Sequence, residues 1–159
     1  MQTYQHQIII GILIVFLGIL FFMDPIPQDI SYHNFADQRT IWGIPNFWDV
    51  MSNLPICFLG AYGLLLVFRT YKQMPELVTI LIPLTLCLGI FTACFGSAYY
   101  HWSPDNPRLF WDRLPMTLMF MPIFSLLIYD FISPQWGKWA FYTLVPFCLL
   151  YTSPSPRDA

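Results

Sequence analysis

Ser97, His101 and Asp112 are the residues of this chain whose types and spacing could carry out chemistry. They lie in "GSAYYHWSPDNPRLFWDRLPM", residues 96 to 116, which leaves one strongly apolar stretch, passes a short polar turn and enters another. An imidazole ligates zinc, a nearby carboxylate orients or deprotonates a metal-bound water, and a hydroxyl steadies a developing oxyanion. A Ser-His-Asp triad would use the same residue types differently. Ser97 and His101 stand at i and i+4, neighbours on a helix, yet nothing marks Ser97 as a nucleophile elbow. A catalytic zinc takes about three protein ligands. Of the chain's three histidines only His101 is placed for that role: His6 precedes the first apolar run, and His33 sits in the loop after it and would have to fold back.

Other polar residues gather with these. Asp49, Ser52 and Asn53 occupy i, i+3 and i+4, one face of a helix. If successive spans alternate in direction, the start of the second, the end of the third and the start of the fourth share one membrane face. Each residue alone has a plainer account. Ser97 beside Gly96 suits close helix packing, His101 beside Trp102 suits an interfacial position, and Asp112 in "FWD" suits the positive end of a helix dipole. Phe47, Trp48, Phe110 and Trp111 read as aromatic-belt anchors. Those plain accounts would all have to coincide at one depth, and the joint functional reading is therefore preferred, because ionisable groups inside a membrane are costly and mark function.

The elements that must position these groups follow from composition. The chain is 57% hydrophobic and only 10% charged, against about a quarter charged in a soluble domain. Its apolar runs reach the roughly 20 residues that cross a hydrocarbon layer. The sequence therefore predicts an all-α, multi-pass transmembrane helix bundle. Spans are expected at Gln7 to Met23, Phe47 to Phe68, Leu77 to His101 and Leu109 to Ile132, with a fifth beginning near Trp136. Strand alternation is absent, and the internal prolines Pro55, Pro83, Pro115 and Pro122 are tolerable where neighbouring helices satisfy the freed carbonyls. The first run lacks the basic start and the small-residue cleavage site of a signal peptide, and is expected to stay as a span.

A cytoplasmic N-terminus leaves Arg69, Lys72 and Lys138 inside, and Arg39 and Arg108 outside among several aspartates. A net charge of -2 without a basic patch excludes nucleic acid as a partner. Cys57, Cys87, Cys94 and Cys148 lack metal-type spacing and are assigned no chemistry. The terminal "CLLYTSPSPRD" resembles the in-frame translation of a transposon-end sequencing adapter. Native sequence, and with it the membrane domain of residues 1–147, is expected to stop near Phe147, with residues 148–159 set aside and the gene product continuing further.

"SAYYH" followed by "WDRLPM" resembles the alkaline ceramidase family of membrane hydrolases, part of a superfamily that includes adiponectin-receptor-type proteins. "NFWDVMSN" is similar to that family's first shared span, and "YHNFADQRTIWGIPNFWDVMSNLP" resembles bacterial members. The resemblance covers about Tyr32 to Phe124. It implies a bundle of seven or eight helices, of which four and part of a fifth are present. It also implies a zinc amidase that hydrolyses the amide of ceramide-type lipids to a sphingoid base and a fatty acid. His101 would be a zinc ligand, Asp112 would hold or activate the zinc-bound water, and Ser97 would support the transition state. A bacterial inner membrane, with the site at the outer face, is the implied location.

The chain departs from that pattern in three respects. The family's final His-x-x-x-His pair is absent, and this fragment is expected to be inactive. The first run is extra relative to eukaryotic members. Where those members carry an acidic calcium-binding segment this chain has "FADQRTIWGIPN", in which Asp37 and Asn46 are the nearest equivalents of calcium ligands; calcium takes about six or more oxygens. Two functional classes remain open: a zinc-dependent lipid amidase, and a non-catalytic receptor-like or structural membrane protein that keeps the metal site for stability.

Overall fold

A backbone removed from water must satisfy its polar groups within its own segment, and this chain does so with helices. The computed structural model describes residues 28–152, together with positions 11, 14, 15, 18 and 19 of the first apolar run, which are helical. The rest of the expected span from Gln7 to Met23, and residues 153–159 of the terminal tail, lie outside the described residues. A short 3-10 turn at Ile30–His33 leads through a loop to α1 (Phe47–Met51), α2 (Leu54–Thr70), α3 (Leu77–Trp102), α4 (Asn106–Phe131) and α5 (Pro134–Thr152). There is no strand among the described residues, only an isolated pairing of Ile41 with Ile44. Three helical runs are long and apolar enough to cross a membrane: Phe47–Gln73, Leu77–Trp102 and Asn106–Phe131.

The helix ends follow local chemistry. Glu76 and Thr79 form a capping box at the start of α3. At its other end Ser103 is extended, as the residue before Pro104 must be, and α3 stops one residue past His101. α4 opens at Asn106, earlier than the expected Leu109, because the Asp105 side chain accepts the Arg108 N–H at 2.7 Å and Pro107 fits the first turn. The expected second span is interrupted. Pro55 offers no N–H to the carbonyl four residues back, and the buried Asn53 amide takes the carbonyls of Asp49 (2.9 Å) and Val50 (3.3 Å) instead. α1 and α2 are therefore separate pieces. Ser52 is exposed, so of the expected polar trio only Asp49 and Asn53 turn inward. Phe47 is 6% exposed and belongs to the core rather than to an aromatic belt, whereas Trp48 and Trp111 remain exposed.

Prolines set the register of α3 on α4. Pro115 and Pro122 leave the carbonyls of Trp111 and Leu118 without their helical donors. Both carbonyls face a glycine of α3: an ideal Cβ on Gly96 would lie 2.0 Å from the Trp111 oxygen, and one on Gly89 would lie 2.9 Å from the Leu118 oxygen. The bare Cα–H groups of the two glycines can approach and offer weak Cα–H···O contacts to the freed oxygens. Proline and glycine recur at the same seven-residue interval on opposite helices, which fixes one antiparallel register. α3 packs chiefly on α2 and α4, and α4 on α3 and α5. α5 also reaches back to the start of α3, where Phe141 buries against Val78 and Ile82 and Lys138 pairs with Glu76.

Candidate functional site

The Gly96 crossing brings α4 onto α3 at the backbone of Trp111 and Asp112, one residue from Ser97 and little more than a helical turn from His101. Asp112 is buried, at 8% exposure, and lies within electrostatic reach of Tyr100. Ser97 and His101 are half-buried. No hydrogen bond joins Ser97, His101 and Asp112 among the described residues, so the structure gathers them at one end of two adjoining helices without forming a triad. His101 Nδ1 is shielded from solvent and has no hydrogen-bond partner among the described residues; the same holds for Asp49 Oδ2 on α1. A shielded polar atom without a partner costs about 1–3 kcal/mol.

The loop before α1 covers this end of the bundle. Asn46, in the left-handed region at φ 47, donates its side-chain N–H to the carbonyl of His101 at 2.8 Å. Asp37 is buried and accepts from Arg39 Nε (2.5 Å) and from the Trp48 N–H (2.7 Å). The Arg39 guanidinium, and after it the Trp48 N–H, hold the Asp37 carboxyl below its ordinary value. Phe35 lies against the His101 ring, with centroids 4.6 Å apart. His33 does fold back, but onto Tyr100 and Asn106: its Nδ1 is 2.8 Å from the Tyr100 hydroxyl and its Nε2 is 2.9 Å from Asn106 Oδ1. Further back, Arg113 of α4 donates to Gln28 at 2.9 Å and lies over the Tyr32 ring.

These groups fit a zinc ion only in part. His101 presents a shielded nitrogen, as a ligand must, but among the described residues no three His, Cys, Asp or Glu side chains come together in a group that could hold a metal. Asp37 and Asn46, the expected calcium ligands, serve as loop anchors: both Asp37 oxygens are taken, and Asn46 turns its amide N–H to His101. No protein-family model, no curated protein and no solved structure matches this chain. The similarity in Tyr32 to Phe124 rests on the quoted motifs alone.

Phe35, Tyr100 and Asn106 carry no motif that singles them out in the sequence, and His33 reaches this end of the bundle only because the loop folds back. A tyrosine directly before His101 and an asparagine opening the next helix, with a histidine in the loop that must cross them, were the only signals, and none has a spacing that the chain itself reveals. The free thiols of Cys57 and Cys94 meet across α2 and α3, a contact between helices that cysteine spacing does not show.

Proposed function

We propose that this chain carries part of a multi-pass membrane hydrolase that cleaves the amide of ceramide-type lipids with the help of zinc. Its setting would be a bacterial inner membrane, with the site at the outer face. The observation that supports this reading best is the shielded, unpartnered His101 Nδ1 in the last turns of α3, with a buried Asp112 on the adjoining start of α4, at the covered end of helices long enough to span lipid. A buried polar atom left unsatisfied within its own chain is suited to a ligand or substrate.

Zinc, when bound, supplies a polarised carbonyl and a water acidic enough to attack it. His101 alone leaves such an ion short of ligands, and the reading requires further ligands beyond those that the described residues bring to His101. The remaining work falls to the chain's own groups. The Asp112 carboxylate holds the proton taken from the attacking water and returns it to the leaving amine. The Ser97 hydroxyl donates toward the oxyanion that forms as the amide carbonyl is attacked. Calcium is left out of the proposal, since its candidate ligands are engaged in holding the loop.

The test is fatty-acid release from ceramide-type amides by the protein read through from its source DNA, assayed beside this 159-residue chain. The longer protein is expected to turn over and to stop when a chelator is added. His101→Ala should abolish turnover, Asp112→Asn should lower it by about 10²–10⁴-fold, and the 159-residue chain should release nothing. Undiminished turnover in His101→Ala would show the zinc reading to be wrong.

A further inference from the structure

The loop from Gln28 to Asn46 is tied to both helices that form the candidate site. On α3 it holds the Tyr100 hydroxyl through His33 and the His101 carbonyl through Asn46, and Phe35 covers the His101 ring. On α4 it holds Asn106 through His33 and Arg113 through Gln28 and Tyr32. One residue spans the gap. His33 uses both ring nitrogens, one toward the last turn of α3 and the other toward the first turn of α4, and both bonds have ordinary hydrogen-bond lengths. With Asn106 Oδ1 as acceptor the imidazole proton sits on Nε2, leaving Nδ1 to accept from the Tyr100 hydroxyl.

We propose that His33 is a positioning residue: a latch that closes the loop over His101 and fixes the mouths of α3 and α4 at the spacing the site needs. Tyr100 is its seat. Only 2% exposed and adjacent in sequence to His101, it cannot move its hydroxyl toward His33 without carrying the end of α3. Asn106 plays the same part on α4, six residues before Asp112 and on the same rigid helix. The latch thus sets two distances together, from Phe35 to the His101 ring and from the His101 turn to the Asp112 turn. Closing it also keeps bulk water from the shielded His101 Nδ1, which strengthens any electrostatic interaction made there. That this spacing serves catalysis rests on the lipid-amidase reading; that His33 is the latch does not.

The experiment separates the two. Diethyl pyrocarbonate acylates accessible imidazoles, and mass spectrometry of this chain in lipid vesicles reports the rate at His101 separately from those at His6 and His33. His33→Phe keeps the ring and removes both nitrogens; Tyr100→Phe removes only the hydroxyl. Tyr100→Phe should raise the rate at His101 by about tenfold, the change in opening that one ordinary hydrogen bond confers, and His33→Phe, which also loses the bond to Asn106, by at least as much. The double variant should be no faster than His33→Phe alone, because the bond that Tyr100→Phe removes is one that His33→Phe has already removed. His33→Gln, which can still donate to Asn106 and accept from Tyr100, should return the rate close to that of the unsubstituted chain. Amide hydrogen exchange within α3 and α4 should stay unchanged throughout.

An unchanged His101 rate in both single variants would overturn the proposal, as would additive effects or a general loosening of α3 and α4. In the longer protein His33→Phe should lower kcat and leave KM in place, with His33→Gln restoring it. Loss of kcat without restoration by glutamine would also count against the latch. Absence of turnover in every variant would instead refute the lipid-amidase reading, leaving the acylation result to decide the latch alone.

Discussion

Asp37 shows how a single side chain holds the covering loop. Its two oxygens accept from Arg39 and from the Trp48 N–H, so the carboxylate joins the middle of the loop to the first turn of α1. Its folded pKa is depressed from the ordinary 3.8, chiefly by Arg39. A depressed carboxyl contributes stability that is fully present above the unfolded value and is lost as the pH falls through the folded one. The loop should therefore stay protected from amide exchange at neutral pH and loosen only below about pH 4. Asp37→Asn should show the same loosening at pH 7, measured by exchange at residues 34–48, with the exchange of α3 unaffected. This function was not legible in the sequence, because the partner N–H lies eleven residues away beyond an irregular loop. Ser97, His101 and Asp112 were legible as candidates, since helical spacing alone places two of them on one face. Their lack of direct hydrogen bonds depends on side-chain geometry that spacing does not carry.

Between elements, the α3–α4 crossing makes a sharper prediction. A methyl group at position 96 would strike the backbone oxygen of Trp111, which cannot rotate away, whereas one at position 63 would meet the Cys87 sulfur, which can. Gly96→Ala should lower stability in detergent unfolding by about 1–3 kcal/mol, and Gly63→Ala by less. Pro115→Ala restores an N–H that draws the Trp111 carbonyl back into its own helix. Combined with Gly96→Ala it should recover part of the loss, a non-additivity expected only of groups in contact. The long apolar runs told where α3 and α4 would lie, and the prolines near Ser103 told where α3 would stop. The pairing of each proline with a glycine on the other helix was hidden, because sequence shows the interval on each helix but not the register between them. The break between α1 and α2 was missed for a related reason: Pro55 was visible, but the buried Asn53 amide that takes over the neighbouring carbonyls was not.

Across the whole molecule, the end opposite the candidate site is closed by α5. Two contacts hold it there: the partly exposed Lys138–Glu76 pair and the buried Phe141 among Val78 and Ile82. Exposed ion pairs contribute about 0–1 kcal/mol, while truncating a buried aromatic leaves a void that its neighbours only partly fill. Lys138→Ala should therefore leave the unfolding midpoint nearly unchanged, and Phe141→Ala should lower it clearly. Apart from the packing of the short α1 on α3, the remaining helix contacts run from each helix to its neighbour in the chain: α2 with α3, α3 with α4, α4 with α5. Such a row can be laid down in the order of translation, each new helix seating on the one the ribosome released before it. The Trp111 and Leu118 carbonyls, freed by Pro115 and Pro122, stay unsatisfied only for as long as α4 is apart from α3, so the defect in one helix becomes the signal that draws it onto its predecessor.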